Sequence, residues 1–377
     1  MFESGSLGRV TVYSIQGCPH CVQAKATLRA LGVPVCDVDV GVHSELTGKL
    51  KELTGRSTVP QIFFNSIHVG GNEELQKLVS RTNIYEPKTC FHIEVRICNK
   101  NSPTYVISCV FFFYNLRLLE TSELSLLLRE LILKLFSEHL SADGKSVDYK
   151  GMSVDPAFER YCELAIQLQR VELLSLSREE KLAFFINVYN ALVIHGYLRL
   201  GAPTNMWQRY KFFNYVSYLI GGEVFTLQDI ENGVLRGNRK GVAQLLKPFS
   251  KTDPRLQVAL PDAEPLIHFA LNCGAKGCPP IKTYTPQDID SQLLTAAEAF
   301  LENDDACTVD SGKNEVRLSQ IFKWYKADFG GTDEKLLKWV LDHMGDSPKK
   351  TSLQDVLSAG KTKVSFLPYD WSSNSAH

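Results

Sequence analysis

The run RVTVYSIQGCPHC, residues 9–21, constrains the fold of this chain more than any other stretch. Its β-branched first half reads as a short strand. A helical pattern follows at once, from CPHC through LRALG, and ends at Gly32. Two thiols, Cys18 and Cys21, therefore stand at a strand-to-helix junction, one helical turn apart. The free amides and dipole of a first helical turn favour an anion. Cys18 is thus expected to ionise readily and act as a nucleophile, with Cys21 buried behind it as the resolving thiol. Pro19 suits the first helical position, where no N–H is needed. A dithiol at this spacing is either a redox pair or half of a metal site. Zinc would want a second Cys/His pair at suitable spacing, and none is near, so no metal is expected.

The pattern continues with PVCDVDV as a second strand and SELTGKLKELTG as a second helix, capped by Ser44 and closed by Gly55. QIFF, a tight Asn65-Ser66 turn, IHVGG and a last helix NEELQKLVS complete the order βαβαββα. A crossover helix implies a parallel first pair of strands, and the tight turn an antiparallel pair, in one mixed four-stranded sheet. Cys36 on the second strand is expected in the core, and His68 is expected to face solvent.

From Val10 to about Arg81 these residues resemble glutaredoxin, a thioredoxin-fold enzyme. The likeness rests on CPHC, on TVPQIFF (Thr58 to Phe64) and on Gly70-Gly71 before a helix, in that family's order and spacing. The resemblance implies an α/β thioredoxin-like domain over residues 8–82 and a thiol–disulfide oxidoreductase. Glutathione would be its co-substrate, and disulfide-containing proteins its clients. It also implies a cis Pro60, with the Val59 backbone pairing with the cysteine of glutathione beside Thr58 and His20. Gly71, Asn72, Glu73 and Glu74 would hold the γ-glutamyl end. Two features depart from the family. Ile15, Gln16 and Gly17 stand where many relatives carry a lysine, and the central pair is Pro-His. A His20 donating to the Cys18 thiolate would stabilise the reduced form; an exposed His20 would do little.

At 377 residues the chain has room for two or three domains. Lys and Arg, 41 together, balance Asp and Glu, 42 together, so no nucleic acid or acidic surface is expected as a partner. The start MFESGSLGRV has no basic and apolar leader, which points to a reducing, cytoplasmic setting. The longest apolar run, YVISCVFFFY, is far short of the ~20 residues of a spanning helix and reads as a buried strand. Residues 83–121 have no clean period and form an irregular connector, open to reading as a hairpin.

The remainder, a larger helix-rich α+β domain at 122–330 with helices and a loose tail at 331–377, begins with the helix SELSLLLRELILKLFSEHL. A second helix covers AFERYCELAIQLQRVEL. A third starts in the capping box S-R-E-E, with Ser177 and Glu180, and stops at Gly201. Two stretches stand out: AFFINVYNALVIHGYL, where Asn187 and Asn190 share a face, and PLIHFALNCGAKGCPP, read as a strand entering a Gly-rich turn. With LSADGKSVDYKGM they resemble the plant and microbial family known as domain of unknown function 547. In plant relatives a glutaredoxin module and a DEP domain precede it; here residues 83–121 stand in the DEP place. A cysteine with a histidine and an asparagine is also the set of papain-like hydrolases. The candidates are Cys273 or Cys278, His195 or His268, and Asn187 or Asn190. The bland alternative is two structural thiols and satisfied core amides; a third is a Cys273–Cys278 pair serving as internal substrate of Cys18. For the whole chain, a glutathione-linked electron carrier competes with a redox-sensing scaffold that binds partners without turnover.

Overall fold

The computed structural model describes residues 10–30, 35–42, 45–64, 67–80, 92–99, 102–109, 121–142, 146–242 and 244–376. The chain divides into two compact units. One comprises residues 1–128, 156–172 and 215–225; the other comprises 129–155, 173–214 and 226–377.

In the first unit β1 (Val10–Ser14), α1 (Pro19–Ala30), β2 (Val35–Asp39), α2 (Glu45–Thr54), β3 (Gln61–Phe64), β4 (Ile67–Gly70) and α3 (Asn72–Ser80) follow the expected order. The sheet runs β2-β1-β3-β4, with β1 parallel to β2 and antiparallel to β3, and β3 antiparallel to β4. This is the thioredoxin-like arrangement. Successive residues of a strand face opposite sides. Ile62 accordingly packs with Val12, Leu28 and Leu75, while Phe63 packs with Val40 and Leu50. Gly55 ends α2 at φ +72°, with its N–H donating to the Lys51 carbonyl at 2.9 Å. Ser44, Asn65 and Ser66 lie outside the described residues. Two expectations are corrected. Cys36 is exposed, because β2 is the edge strand, and His68 is half-buried against the Phe63 ring at 4.9 Å.

The connector includes a hairpin, β5 (His92–Asn99) and β6 (Ser102–Cys109). The rest of YVISCVFFFY, from residue 110, lies outside the described residues. After α4 (Thr121–Glu138), α5 (Tyr149–Ser153), α6 (Pro156–Ala165), α7 (Arg178–Leu200) and α8 (Met206–Tyr215) come β7 (Ser217–Ile220) and β8 (Glu223–Thr226), which extend that hairpin to a four-stranded sheet.

The second unit is organised on α7. The capping box forms as expected: Ser177 accepts from the Glu180 amide, and Glu180 accepts from the Ser177 amide. Residues 182–197 are all buried. A helix apolar on every side needs cover on every side. Cover comes from elements including α9 (Ile289–Glu302). A further core unites Phe269, Phe322, Phe329 and Val340 with the sheet of β9 (Cys307–Asp310), β10 (Glu315–Leu318) and β11 (Lys363–Phe366). Helices α10 (Gln320–Trp324), α11 (Asp333–Asp342) and α12 (Pro348–Ala359) complete the unit. The tail is not loose. Asn374 accepts from the Val147 amide at 2.7 Å and donates its own amide to the Gly274 carbonyl at 3.0 Å.

Candidate active site

Helix α1 begins at Pro19, so Cys18 sits at its tip. Gly17 makes the preceding turn at φ +80°, a conformation that glycine adopts without strain. The Cys21 amide donates to the Cys18 sulfur at 3.3 Å. Slight burial would raise the Cys18 pKa. Hydrogen bonds from the Cys21 thiol and from the Cys21 and His20 amides, with the charge of Lys25, outweigh it and lower the pKa. Cys21 is fully buried, and desolvation with its bond to Cys18 pushes its thiol up to about 11. The two sulfurs are thus differentiated by position on one helix. The His20 imidazole is exposed.

Tyr13 of β1 pairs with Gln61 of β3, which places the Cys18 loop and the cis Val59–Pro60 bond at the same end of the sheet. Gly71 joins them: a Cβ there would lie 3.3 Å from the Pro60 carbonyl. Thr58 is exposed and Val59 half-buried. Asn72 is buried, with its amide group bonded to Gln23 at 2.8 Å and Gln76 at 3.1 Å, so its side chain joins α1 to α3. Glu73 pairs with Lys77 in the open. Glu74 accepts from the Gly71 amide at 2.8 Å and from Arg56 at 2.7 Å. Arg56 and that amide bring its pKa down to about 2.

Two basic residues escaped the sequence reading. Lys25 stands two turns below Cys18 on α1, and its ammonium is held by Asp37 at 2.6 Å and Ser14 at 3.2 Å. The i, i+7 spacing was the available signal. Arg56, just past α2, meets Glu74 through tertiary packing alone.

In the second unit the stretch after Glu264 is not a strand. Residues Pro265–Phe269 form a 3₁₀ turn, and Ile267 through Asn272 are buried without alternation. The reason lies in α7. Asn190 donates to the Ala270 carbonyl at 3.0 Å and accepts from the Asn272 amide at 2.9 Å, replacing a neighbouring strand. Asn187 bridges both backbone groups of Tyr284 in the same way. Each amide thus uses its donor and an acceptor lone pair on main chain. His195 is buried on α7. His268 bonds Asp328 at 2.9 Å and stacks on Tyr325. Asp328 is fully buried and also takes Arg236 at 2.6 Å, a charge cluster drawn from residues far apart in sequence. The sulfurs of Cys273 and Cys278 are 2.7 Å apart. Among the described residues no helix is long and apolar enough to cross a membrane, and no group of three His, Cys, Asp or Glu could hold a metal.

A dithiol at a strand-to-helix junction of this sheet defines a thiol–disulfide oxidoreductase domain of thioredoxin-like fold. The family model for glutaredoxin matches residues 10–69, and that for the protein family of unknown function DUF547 matches residues 173–301. Glutaredoxin 3 of Escherichia coli (strain K12) is 33% identical over 75 residues, which are 20% of this chain and 90% of that protein. A glutaredoxin of Neisseria meningitidis (serogroup A) is 40% identical over 70 residues, 18% of this chain and 82% of its own. The solution structure of a glutaredoxin from Brucella melitensis is 38% identical and matches 22% of this chain and 89% of its own, with a TM-score of 0.20. The chain belongs to the glutaredoxin family through its first domain, and its second half carries a DUF547 domain.

Proposed function

We propose that the first domain is a glutathione-linked electron carrier acting on disulfide-containing proteins of the cytoplasm. The Cys18 thiolate attacks a client disulfide, one client sulfur leaves as a thiolate, and a mixed disulfide remains on Cys18. Either glutathione or Cys21 then attacks that mixed disulfide and releases the reduced client. The observation that carries this reading is the Cys21 amide aimed at the Cys18 sulfur. Glutathione would lie along Val59 and Pro60, with Thr58 and His20 at its flanks. The part-exposed Arg56–Glu74 pair would open to it, Arg56 taking a carboxylate and Glu74 the amine. The Asn72 amide and Glu73 would frame the same end.

A turnover assay with glutathione and a glutathionylated substrate tests the proposal. Activity that vanishes in Cys18→Ser and persists through the monothiol route in Cys21→Ser supports it. An intact chain that exchanges its dithiol once but never turns over supports instead a redox-sensing, partner-binding protein.

A further inference from the structure

The G-A-K-G turn of the second unit brings two thiols together for a reason that backbone packing makes explicit. Gly274 has φ +78°, and a Cβ there would collide with the Tyr197 ring. At Gly277 a Cβ would press on the Asp370 carbonyl at 3.0 Å and the Tyr369 ring at 3.1 Å. The C-terminal tail closes over the turn: the Lys276 amide donates to Ser372 at 2.9 Å and the Gly277 amide to Asp370 at 3.0 Å. Tyr369 then lies with its hydroxyl 3.2 Å from the Cys278 sulfur, which also accepts from the Cys273 amide at 3.2 Å. Both cysteines are half-buried residues.

These contacts set the two sulfurs apart. Burial would raise the Cys278 thiol, but hydrogen bonds from the Cys273 thiol, the Tyr369 hydroxyl and the Cys273 amide overcome it and bring it to about 7. Cys273 moves the opposite way, because it donates to Cys278 and is desolvated. Burial and the facing sulfur push the Tyr369 phenol up, so it stays protonated as a donor.

A cation is tied to the same tail. Arg209 is 8% exposed. It donates through Nη2 to the Trp371 carbonyl at 2.9 Å and lies over the Trp371 ring. Its Nε and Nη1 are buried with no hydrogen-bond partner among the described residues. Buried guanidinium N–H groups without acceptors are costly and mark a place for an anion.

We infer that Cys278 and Cys273 form a second thiol–disulfide exchange site, taking a low-molecular-weight disulfide that bears a carboxylate for Arg209. The Cys278 thiolate attacks one sulfur of the disulfide RSSR; that bond breaks, and the first RS⁻ leaves and takes the proton Cys278 gave up. Cys273 loses its proton and attacks the Cys278 sulfur, and the second RS⁻ leaves and is protonated. The protein loses two electrons and two protons as the Cys273–Cys278 disulfide closes, and RSSR becomes two RSH.

Trypsin cuts after Lys276, between the two cysteines, so the product has a direct signature. The full chain carrying Cys18→Ser and Cys21→Ser is incubated with oxidised glutathione and digested without reduction. The expected product is residues 256–276 disulfide-linked to residues 277–282. In a further Cys273→Ser variant the glutathione adduct should stay on 277–282. Arg209→Gln should slow reaction with oxidised glutathione about tenfold and leave reaction with neutral bis(2-hydroxyethyl) disulfide unchanged. Absence of the linked pair, while both peptides are alkylated after denaturation, overturns the site. An adduct on residues 256–276 in Cys278→Ser, as fast as the adduct on 277–282 in Cys273→Ser, overturns the assignment of roles. Equal slowing with both disulfides overturns the anion pocket. With Cys18 and Cys21 absent, each of these outcomes is independent of the electron-carrier reading.

Discussion

The two dithiols reach a similar electrostatic end by different means. In the first, the loop enters a twelve-residue helix, and the sulfur before that helix receives its amides, so the earlier cysteine is the acidic one. In the second there is no helix. A glycine turn folds back, a distant tyrosine and the tail cover it, and the later cysteine is the acidic one. The lesson is that thiolate character follows the donors aimed at a sulfur, whatever the order of the cysteines along the chain.

The two dithiols should differ most in their effect on turnover. Cys18→Ser should reduce glutathione-dependent turnover to the uncatalysed rate, whereas Cys278→Ser should leave it intact; a turnover assay on both variants decides. If Cys278→Ser also stops turnover, the two sites are not independent.

The bracing of the two units differs next. Asp328 is fully buried among Arg236, Arg239 and His268, whereas Asp37, which holds Lys25, is 43% exposed. Asp328→Asn leaves a buried guanidinium underpaired and should cost about 3–5 kcal/mol in urea denaturation. Asp37→Asn should cost at most about 1 kcal/mol. Burial acts against the Asp328 carboxylate, but His268 and Arg236 hold its pKa far below the usual range, and burial lowers that of His268. Both folded values lie below their unfolded ones. Their contributions are therefore complete above about pH 6.5 for His268 and about pH 4 for Asp328, and are lost as pH falls through the folded values. Denaturation midpoints measured from pH 7 downward should show this loss.

The glycines of the two turns also differ in their surroundings. Gly17 and Gly274 both have positive φ, but only Gly274 faces a ring. Gly17→Ala should cost about 1 kcal/mol from backbone strain. Gly274→Ala should cost about 2–3 kcal/mol, since Tyr197 must also move. The last effect is in titration. Alkylation of Cys278 should have its midpoint near pH 7, and Tyr369→Phe should move it up by about one unit, the loss of one hydrogen bond to a charged group.

Legibility in the sequence followed the range of the interactions. The βαβαββα order, the Ser177 capping box and the placing of Cys18 on a helix tip all depend on residues within one or two turns of one another. The same holds for the helix-closing glycines at 55 and 201. The strand expected at 265–272 failed because Asn190, some eighty residues earlier, satisfies the backbone that a neighbouring strand would have paired. The loose tail failed for the same reason: its acceptors meet donors from the G-A-K-G turn. Cys36 was misplaced because strand order decides which strand is an edge, and periodicity within the strand does not.

What the residues alone fixed is the order of strands and helices in the first domain and the placing of Cys18 at a helix tip one turn ahead of Cys21, because both rest on contacts within a turn or two. Long-range packing set the surroundings of Cys278, the Asp328 cluster and the burial of Arg209 against Trp371. Each depends on groups from separate segments being packed away from water, where a single donor or charge acts on its neighbour with far less screening than in the unfolded chain.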